Sequence, residues 1–338
     1  MFNFIVRRLL QLPLVLFGVS ILIFALTQLL SPEVRAVAYI RNEKQINQLP
    51  EIVRQYGLDK DIFTQYGIWL SNVLQGNLGW STAARRPVAE ALAAALPATI
   101  ELAVAALIPI VLFGVFFGVW AGVNRNKWQD QVSRVFSIFF YSLPSFVVGI
   151  TLLAVFYGNL QWFEPGRINT ILSLTQGLPS VDGFLVTRAL FTGNWELLTD
   201  LLKHLVLPVA TLTIVSSAGL MRVVRSNVVD QINQDYVRTA RAKGLAPRTV
   251  TYKHALRNAL IPVVTMVGTI LYGLLGGVAI TETVFNYPGI GAFAAQAAII
   301  VDIPGVLGFA LFAAFAVTLI NLVVDLLYGV IDPRIRYD

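Results

Sequence analysis

The chain reads as a series of long apolar runs separated by polar segments. Uncharged stretches cover Leu9–Leu30, Leu102–Val123, Val135–Gly158, Ala259–Thr281 and Ile303–Val324, with a shorter one at Leu205–Met221. A bilayer core needs about 20 apolar residues in helical form, at about 1.5 Å rise per residue. Six runs therefore predict six membrane-spanning helices. Closed strand barrels would show alternating segments of about 10 residues instead. The first run follows Arg7 and Arg8, as in a signal peptide, but it is too long for one and no small-residue cleavage site follows it. It is expected to stay as an uncleaved span.

The polar segments give the orientation. With the N-terminus inside, 15 of the 25 Lys and Arg residues fall on the cytoplasmic side, the bias expected of membrane proteins. Both termini are then cytoplasmic. The outer segment from 31 to 96 contains Ile62, Tyr66, Trp69 and Val73 at helical spacing, with Phe63 and Leu70 beside them. That pattern predicts an amphipathic helix, lying on the outer membrane surface or packed in a small outer domain.

Composition agrees with this picture. Only 13% of the residues are charged, about half the share of a soluble domain, and the mean hydropathy is +0.70. The net charge of +6 follows from the positive-inside bias, so nucleic-acid binding is not expected. There is no cysteine, which excludes disulfides and thiolate metal sites. His204 and His254 show no ligand spacing, and no metal site is expected. No G-x-x-x-x-G-K-[ST] phosphate loop is present, so the chain cannot hydrolyse ATP alone.

The stretch "YVRTARAKGLAPRTVTYKHALRN" from Tyr236 to Asn258 holds six basic residues and no acid. Upstream, Val229, Ile232, Tyr236 and Ala240 share one face of a helix. Gly244 sits where a helix ends in a left-handed residue, and Pro247 suits the first turn of the next helix. The pattern predicts helix, glycine turn and second helix, a cytoplasmic knob; composition alone equally allows a basic loop that only sets topology, which would not need the apolar stripe.

This stretch resembles the EAA loop of the membrane subunits of binding-protein-dependent ABC importers, in the dipeptide, oligopeptide and nickel permease branch. Of the general EAA pattern, Ala240, Gly244 and Leu256 match. "DYVRTARAKGL" and "HALRNALIPVV" are similar to the peptide-permease version, which lacks the acid of other branches. "FIVRRLLQLPLVLFGVSILIF", "GNLGWS", "LPATIELA", "TETVFNYPGIG" and "NLVVDLLYGVIDPRIR" extend the resemblance over nearly the whole chain. "SPEVRA" departs from it, where the family often has Pro-Gly-Asp-Pro.

The resemblance implies an all-α membrane protein with the MetI-like fold of type I ABC importers. Residues 1–31 would form the N-terminal span, 32–96 an external segment, and 97–338 a five-helix core with a coupling loop at 222–258. The loop residues Tyr236, Arg238, Thr239, Ala240, Arg241, Ala242, Lys243, Gly244 and Leu245 would contact an ATPase subunit. Tyr141, Pro144, Ser216, Ser217 and Glu282 are candidates for the translocation path or external gate. Glu101 and Asp325 read as structural acids at span ends. Pro208 and Pro262, like Pro144, interrupt apolar runs.

The implied partners are a second permease subunit, two ATPase subunits, an extracytoplasmic binding protein and membrane lipid. ATP and magnesium would sit on the ATPases, and no cofactor on this chain. The implied cargo is a di- or oligopeptide, with nickel chelate, glutathione or another small solute as alternatives. A secondary transporter or channel would call for intramembrane coupling acids or internal repeats. A membrane enzyme would call for clustered polar residues in the spans. Neither pattern is present.

Overall fold

A computed structural model describes residues 2–40, 48–178, 182–275 and 278–331. In chain order it contains α1 (Phe2–Thr27), the short α2 (Pro32–Ala36) and α3 (Leu49–Gln55), then α4 (Ile62–Leu74) and a two-stranded hairpin of β1 (Trp80–Ser81) and β2 (Arg86–Pro87). The core follows: α5 (Val88–Val123), α6 (Trp128–Ser142), α7 (Ser145–Leu152) with a π-helical extension to Asn159, α8 (Thr170–Thr175), α9 (Leu185–Thr192) and α10 (Trp195–Ile232). Then come α11 (Asp235–Ala242), a π-helical turn over Thr249–Ala255, α12 (Leu256–Ala259), α13 (Ile261–Leu275), α14 (Ala279–Val284), α15 (Ile290–Ile299) and α16 (Ile303–Ile331).

The most extensive interface joins α5 to α10. Gly114, Gly118 and Gly122, four residues apart, form one stripe on α5. A Cβ added at these positions would lie 2.6–2.7 Å from side-chain atoms of Leu220, Val224 and Val228, respectively. Side chains of one helix thus fill the space that the other leaves empty, the close approach that small residues permit between membrane helices. Ala98, Leu102, Ala106 and Ile110 continue the buried face of α5 toward its start.

The pairing also gives direction. Later residues of α5 meet later residues of α10, so the two helices run parallel. The chain between them must therefore return across the membrane. Among the described residues between them, α6 and α7 are the apolar pair long enough for that crossing, and they meet at 97°.

Four helices are long and apolar enough to cross a membrane unbroken, and two bent pairs bring the number up to six. The expected third span is thus broken at Leu143 and Pro144, the cap residues between α6 and α7. The expected fifth span bends by 46° between α12 and α13, beside Pro262, and α13 ends at Leu275 rather than Thr281. Pro144 lacks the N–H for an i−4 bond and disfavours helical geometry at Leu143, which is extended. Pro208, by contrast, lies inside α10 without ending it. The second and fourth helices exceed their apolar runs, because α5 begins at Val88 and α10 extends from Trp195 to Ile232.

In the segment between α1 and the hairpin, Ser31 and Asp61 cap α2 and α4 through their side chains, the usual role of Ser and Asp there. The predicted amphipathic helix is α4. It leans on α1, where the Tyr66 hydroxyl lies 2.8 Å from Ser20 Oγ and the Phe24 ring centroid is 5.2 Å from that of Tyr66 and 5.7 Å from that of Trp69.

Candidate coupling loop and gate

The basic loop is a packed knob. Gln234 is extended and starts α11 after the end of α10. At the far end Gly244 adopts φ +76°. Its N–H donates to Arg241 O at 2.9 Å, and Leu245 N–H donates to Ala240 O at 3.4 Å. This is the paired bonding of a Schellman ending, with Gly244 as the left-handed residue. The next helical turn begins at Pro247.

Val237, Ala240, Val250 and Ala255 form a small buried core beneath the turn, with Ile232 against it. The predicted stripe differs here. A single helix would have placed Tyr236 on the buried face, but the break at Asn233–Gln234 rotates α11. Val237 turns inward and Tyr236 outward, where its hydroxyl donates to Gln231 Oε1 at 2.7 Å. Of the nine predicted coupling residues, Ala240 alone is buried; Tyr236, Arg238, Thr239, Arg241, Ala242, Lys243, Gly244 and Leu245 are exposed together. Leu245 and Tyr252 add apolar surface to a rim of Arg and Lys.

A buried carboxylate ties the N-terminal end of α6 to α10. Asp130, in the first turn of α6, is fully buried. It accepts from Arg225 Nε, from Arg225 Nη2 at 2.9 Å and from the Asn126 backbone N–H at 2.9 Å. Arg225 grips it with both arms of the guanidinium, the strongest geometry for this pair. The sequence reading did not single out Asp130. The available signal was one acid amid Arg125, Lys127 and Arg134 in an inner loop.

The candidate path residues divide into two groups. Tyr141, half-exposed at the end of α6, lies against Gly219 of α10, where an added Cβ would come within 3.0 Å of its ring. The Arg222 guanidinium carbon is 4.7 Å from the Tyr141 ring centroid. Pro144 is at the α6–α7 break. Ser217 is buried, and it lines a cavity with Phe113, Phe117, Phe136, Thr213 and Met221; Ser216 is half-buried beside it. Tyr141 and Ser217 thus lie where α6 meets α10.

Glu282 stands apart. It is completely buried, and its carboxylate accepts from the Thr99 hydroxyl at 2.7 Å and from Ala292 N–H at 2.8 Å. Thr99 Oγ1 in turn accepts from Ile290 N–H at 2.9 Å. In this conformation its carboxylate pins α14 and α15 to α5, and it also lines a cavity with Asn286, Tyr287 and Gln296.

Residues 114–337 match the family described as binding-protein-dependent transport system inner membrane component, and residues 1–103 match the N-terminal region of the same membrane components. The chain belongs to this family. The permease is 39% identical over 326 residues to a probable D,D-dipeptide transport system permease protein of Escherichia coli K12, covering 96% of this chain and 94% of that protein. It is 36% identical over 338 residues to a glutathione transport system permease protein of the same strain, over the full length of both. The glutathione transport system permease protein of Shigella dysenteriae is similar to the same degree. The permease is a multi-pass inner membrane protein with the MetI-like fold.

Within the permease the glycines of "NYPGIG" acquire a physical role. A Cβ at Gly289 would lie 2.2 Å from Glu282 Oε1, so the turn can close over the carboxylate only with glycine there. Asn286 takes the left-handed conformation at φ 49°, which asparagine tolerates better than most residues. Glu101 is structural, as expected. It accepts from Arg167 at 2.6 Å and from the N–H groups of Val186 and Thr187 at the start of α9. Asp302, another residue the sequence reading passed over, accepts from Ala83 N–H and Gly305 N–H, both at 3.2 Å, and from the Ser81 hydroxyl, so it fastens the hairpin to α16. The Asp325 side chain and the basic residues Arg334 and Arg336 lie outside the described residues.

Proposed function

We propose that this permease forms half of a path for small peptides, with glutathione as the nearest alternative, delivered by an external binding protein and driven by two ATPase subunits that hold ATP and magnesium. A second permease subunit would complete the path. Both termini would be cytoplasmic, residues 32–96 external, and 97–338 the transport core. The cargo class rests on the two Escherichia coli relatives, a probable D,D-dipeptide permease and a glutathione permease.

The knob is the observation that supports the coupling most strongly. It has its own small core, a glycine-locked ending and a cluster of exposed Arg, Lys, Tyr and Leu side chains. A loop that served only to fix topology would need the charges and not the packing. Movement of the knob would pass directly into α10, whose last turn at Ile232 packs on it. From there Arg225 and Asp130 carry it into α6, and Tyr141 and Pro144 lie at the outer end of that helix. Ser217 lines a cavity with Phe136 of the same helix.

The test is reconstitution of the permease pair, ATPases and binding protein in proteoliposomes, with uptake of a labelled dipeptide and of labelled glutathione measured separately. ATP-dependent uptake of one of them supports the reading and chooses the cargo. Uptake of neither, with ATP hydrolysis intact, would remove the peptide class. Assembly of an active complex without contact at Arg238–Leu245, read by cross-linking, would remove the knob from the coupling.

A further inference from the structure

A cavity lies away from the proposed path, where α1 ends and α16 begins. Phe24, Ile68, Trp69, Ile303, Leu307 and Leu311 make its walls. Because α1 ends at Thr27 and α16 starts at Ile303, it lies at the level where these two spans leave the hydrocarbon. The aromatic side chains agree: Tyr66 and Trp69 pack on α1, and the Tyr39 and Tyr56 rings stack at 3.9 Å, as in the aromatic belt of a membrane interface.

One residue in this lining carries charge. Arg35 reaches in from α2, donating to Gln28 Oε1 at 3.0 Å, to Gln65 Oε1 and to Leu58 O at 3.4 Å. These acceptors are neutral, and its buried Nε has no partner. Among the described residues no carboxylate lines the cavity or is bonded to Arg35; Glu33, exposed on the same short helix, attracts Arg35 through space without bonding to it. A cation in such surroundings is costly unless an anion meets it, and guanidinium is well shaped for phosphate.

We propose that this cavity holds one anionic phospholipid of the leaflet in which α1 ends, with an acyl chain against α1, α4 and α16 and the phosphate on Arg35. The lipid would cement the N-terminal span and the outer helices to the last span. The inference requires only that α1 and α16 cross a membrane, so it stands or falls independently of cargo and ATPase coupling.

The test is native mass spectrometry of the full-length permease, delipidated in detergent and titrated with phosphatidylglycerol or phosphatidylcholine. The expected result is one phosphatidylglycerol retained per chain, at least fivefold tighter than phosphatidylcholine. Arg35→Gln should remove the preference and Arg35→Lys should keep most of it. Val73→Trp, which fills the cavity from α4 and keeps every Arg35 hydrogen bond, should lower occupancy of both lipids. Equal retention of the two lipids by the unaltered chain would overturn the proposal. So would a preference for phosphatidylglycerol that survives both Arg35→Gln and Val73→Trp, since that lipid would lie elsewhere. If Arg35→Gln unfolds the outer helices, seen as loss of helical circular dichroism, Val73→Trp decides the matter alone.

Discussion

Arg225 of α10 holds Asp130 of α6 with two guanidinium N–H groups, 95 residues apart in the chain, and Asp130 is wholly buried while Arg225 is only partly so. Removing Arg225 leaves that carboxylate with a single weak cation, Arg134 at 3.4 Å. Arg225→Ala is therefore expected to destabilise the permease by roughly 3 kcal/mol, less than a fully buried pair would lose because Arg225 keeps some contact with water. The paired change Asp130→Asn with Arg225→Gln should recover part of the loss. Thermal denaturation followed by size-exclusion chromatography measures both, and equal stability of Arg225→Ala and the unaltered chain would contradict the assignment.

Gly244→Val tests the knob without any steric complication. Nothing lies within 4 Å of a Cβ at this position, so the penalty is that of the left-handed backbone alone, about 1–2 kcal/mol. Membrane insertion should be unaffected, while ATPase co-purification and uptake fall together. Gly244→Asn, which tolerates the conformation, should restore both.

Gly118→Val addresses the seam between α5 and α10. The new Cβ would meet Val224 Cβ at 2.6 Å and Met221 O at 2.9 Å, and backbone cannot yield as a side-chain tip can. Overpacking of this kind costs about 1–3 kcal/mol. A drop in melting temperature with unchanged membrane insertion is the expected reading. Gly18→Val, where nothing lies within 4 Å, is the matched control.

Glu282→Ala would leave the Thr99 hydroxyl and the Ala292 N–H without their acceptor in a closed site. The expected cost is about 1–3 kcal/mol, localised between α14 and α15. Limited proteolysis should then cut in the turn 285–289 of the variant and not of the original. Glu282→Gln keeps an acceptor oxygen and should resist better.

Cysteine labelling checks orientation in a chain with no native cysteine. Phe63 and Lys243 are both exposed. An impermeant maleimide added to intact cells should modify Phe63→Cys and leave Lys243→Cys untouched. The reverse would invert the topology.

The apolar runs revealed where the chain crosses the membrane because hydropathy is a local property. They did not reveal the break at Leu143–Pro144, since a bent pair and a straight span have the same composition. Nor did they show the length of α5: Glu90 and Glu101 cut the uncharged run, although Glu101 is neutralised by Arg167, 66 residues away. The knob was legible through Gly244 and Pro247, whose backbone requirements are written in single residues. Tyr236 was misplaced because helical periodicity assumes an unbroken helix, and the break at Asn233–Gln234 shifts the phase. Thr99 with Glu282, and Ser81 with Asp302, are contacts 183 and 221 residues apart, beyond the reach of any local pattern.

The interlocked glycines give α5 and α10 the character of a stiff connecting rod. At about 1.5 Å per residue, the 38 residues of α10 span about 57 Å, nearly twice the hydrocarbon thickness of a bilayer, about 30 Å. Pivoted at one end, a rod of that length turned by about 10° sweeps its other end through about 10 Å. A small tilt of α10 about its Ile232 end would in this way become a large displacement at Trp195, and because side chains of α10 are seated against the glycines of α5, the two helices would tilt together rather than slide.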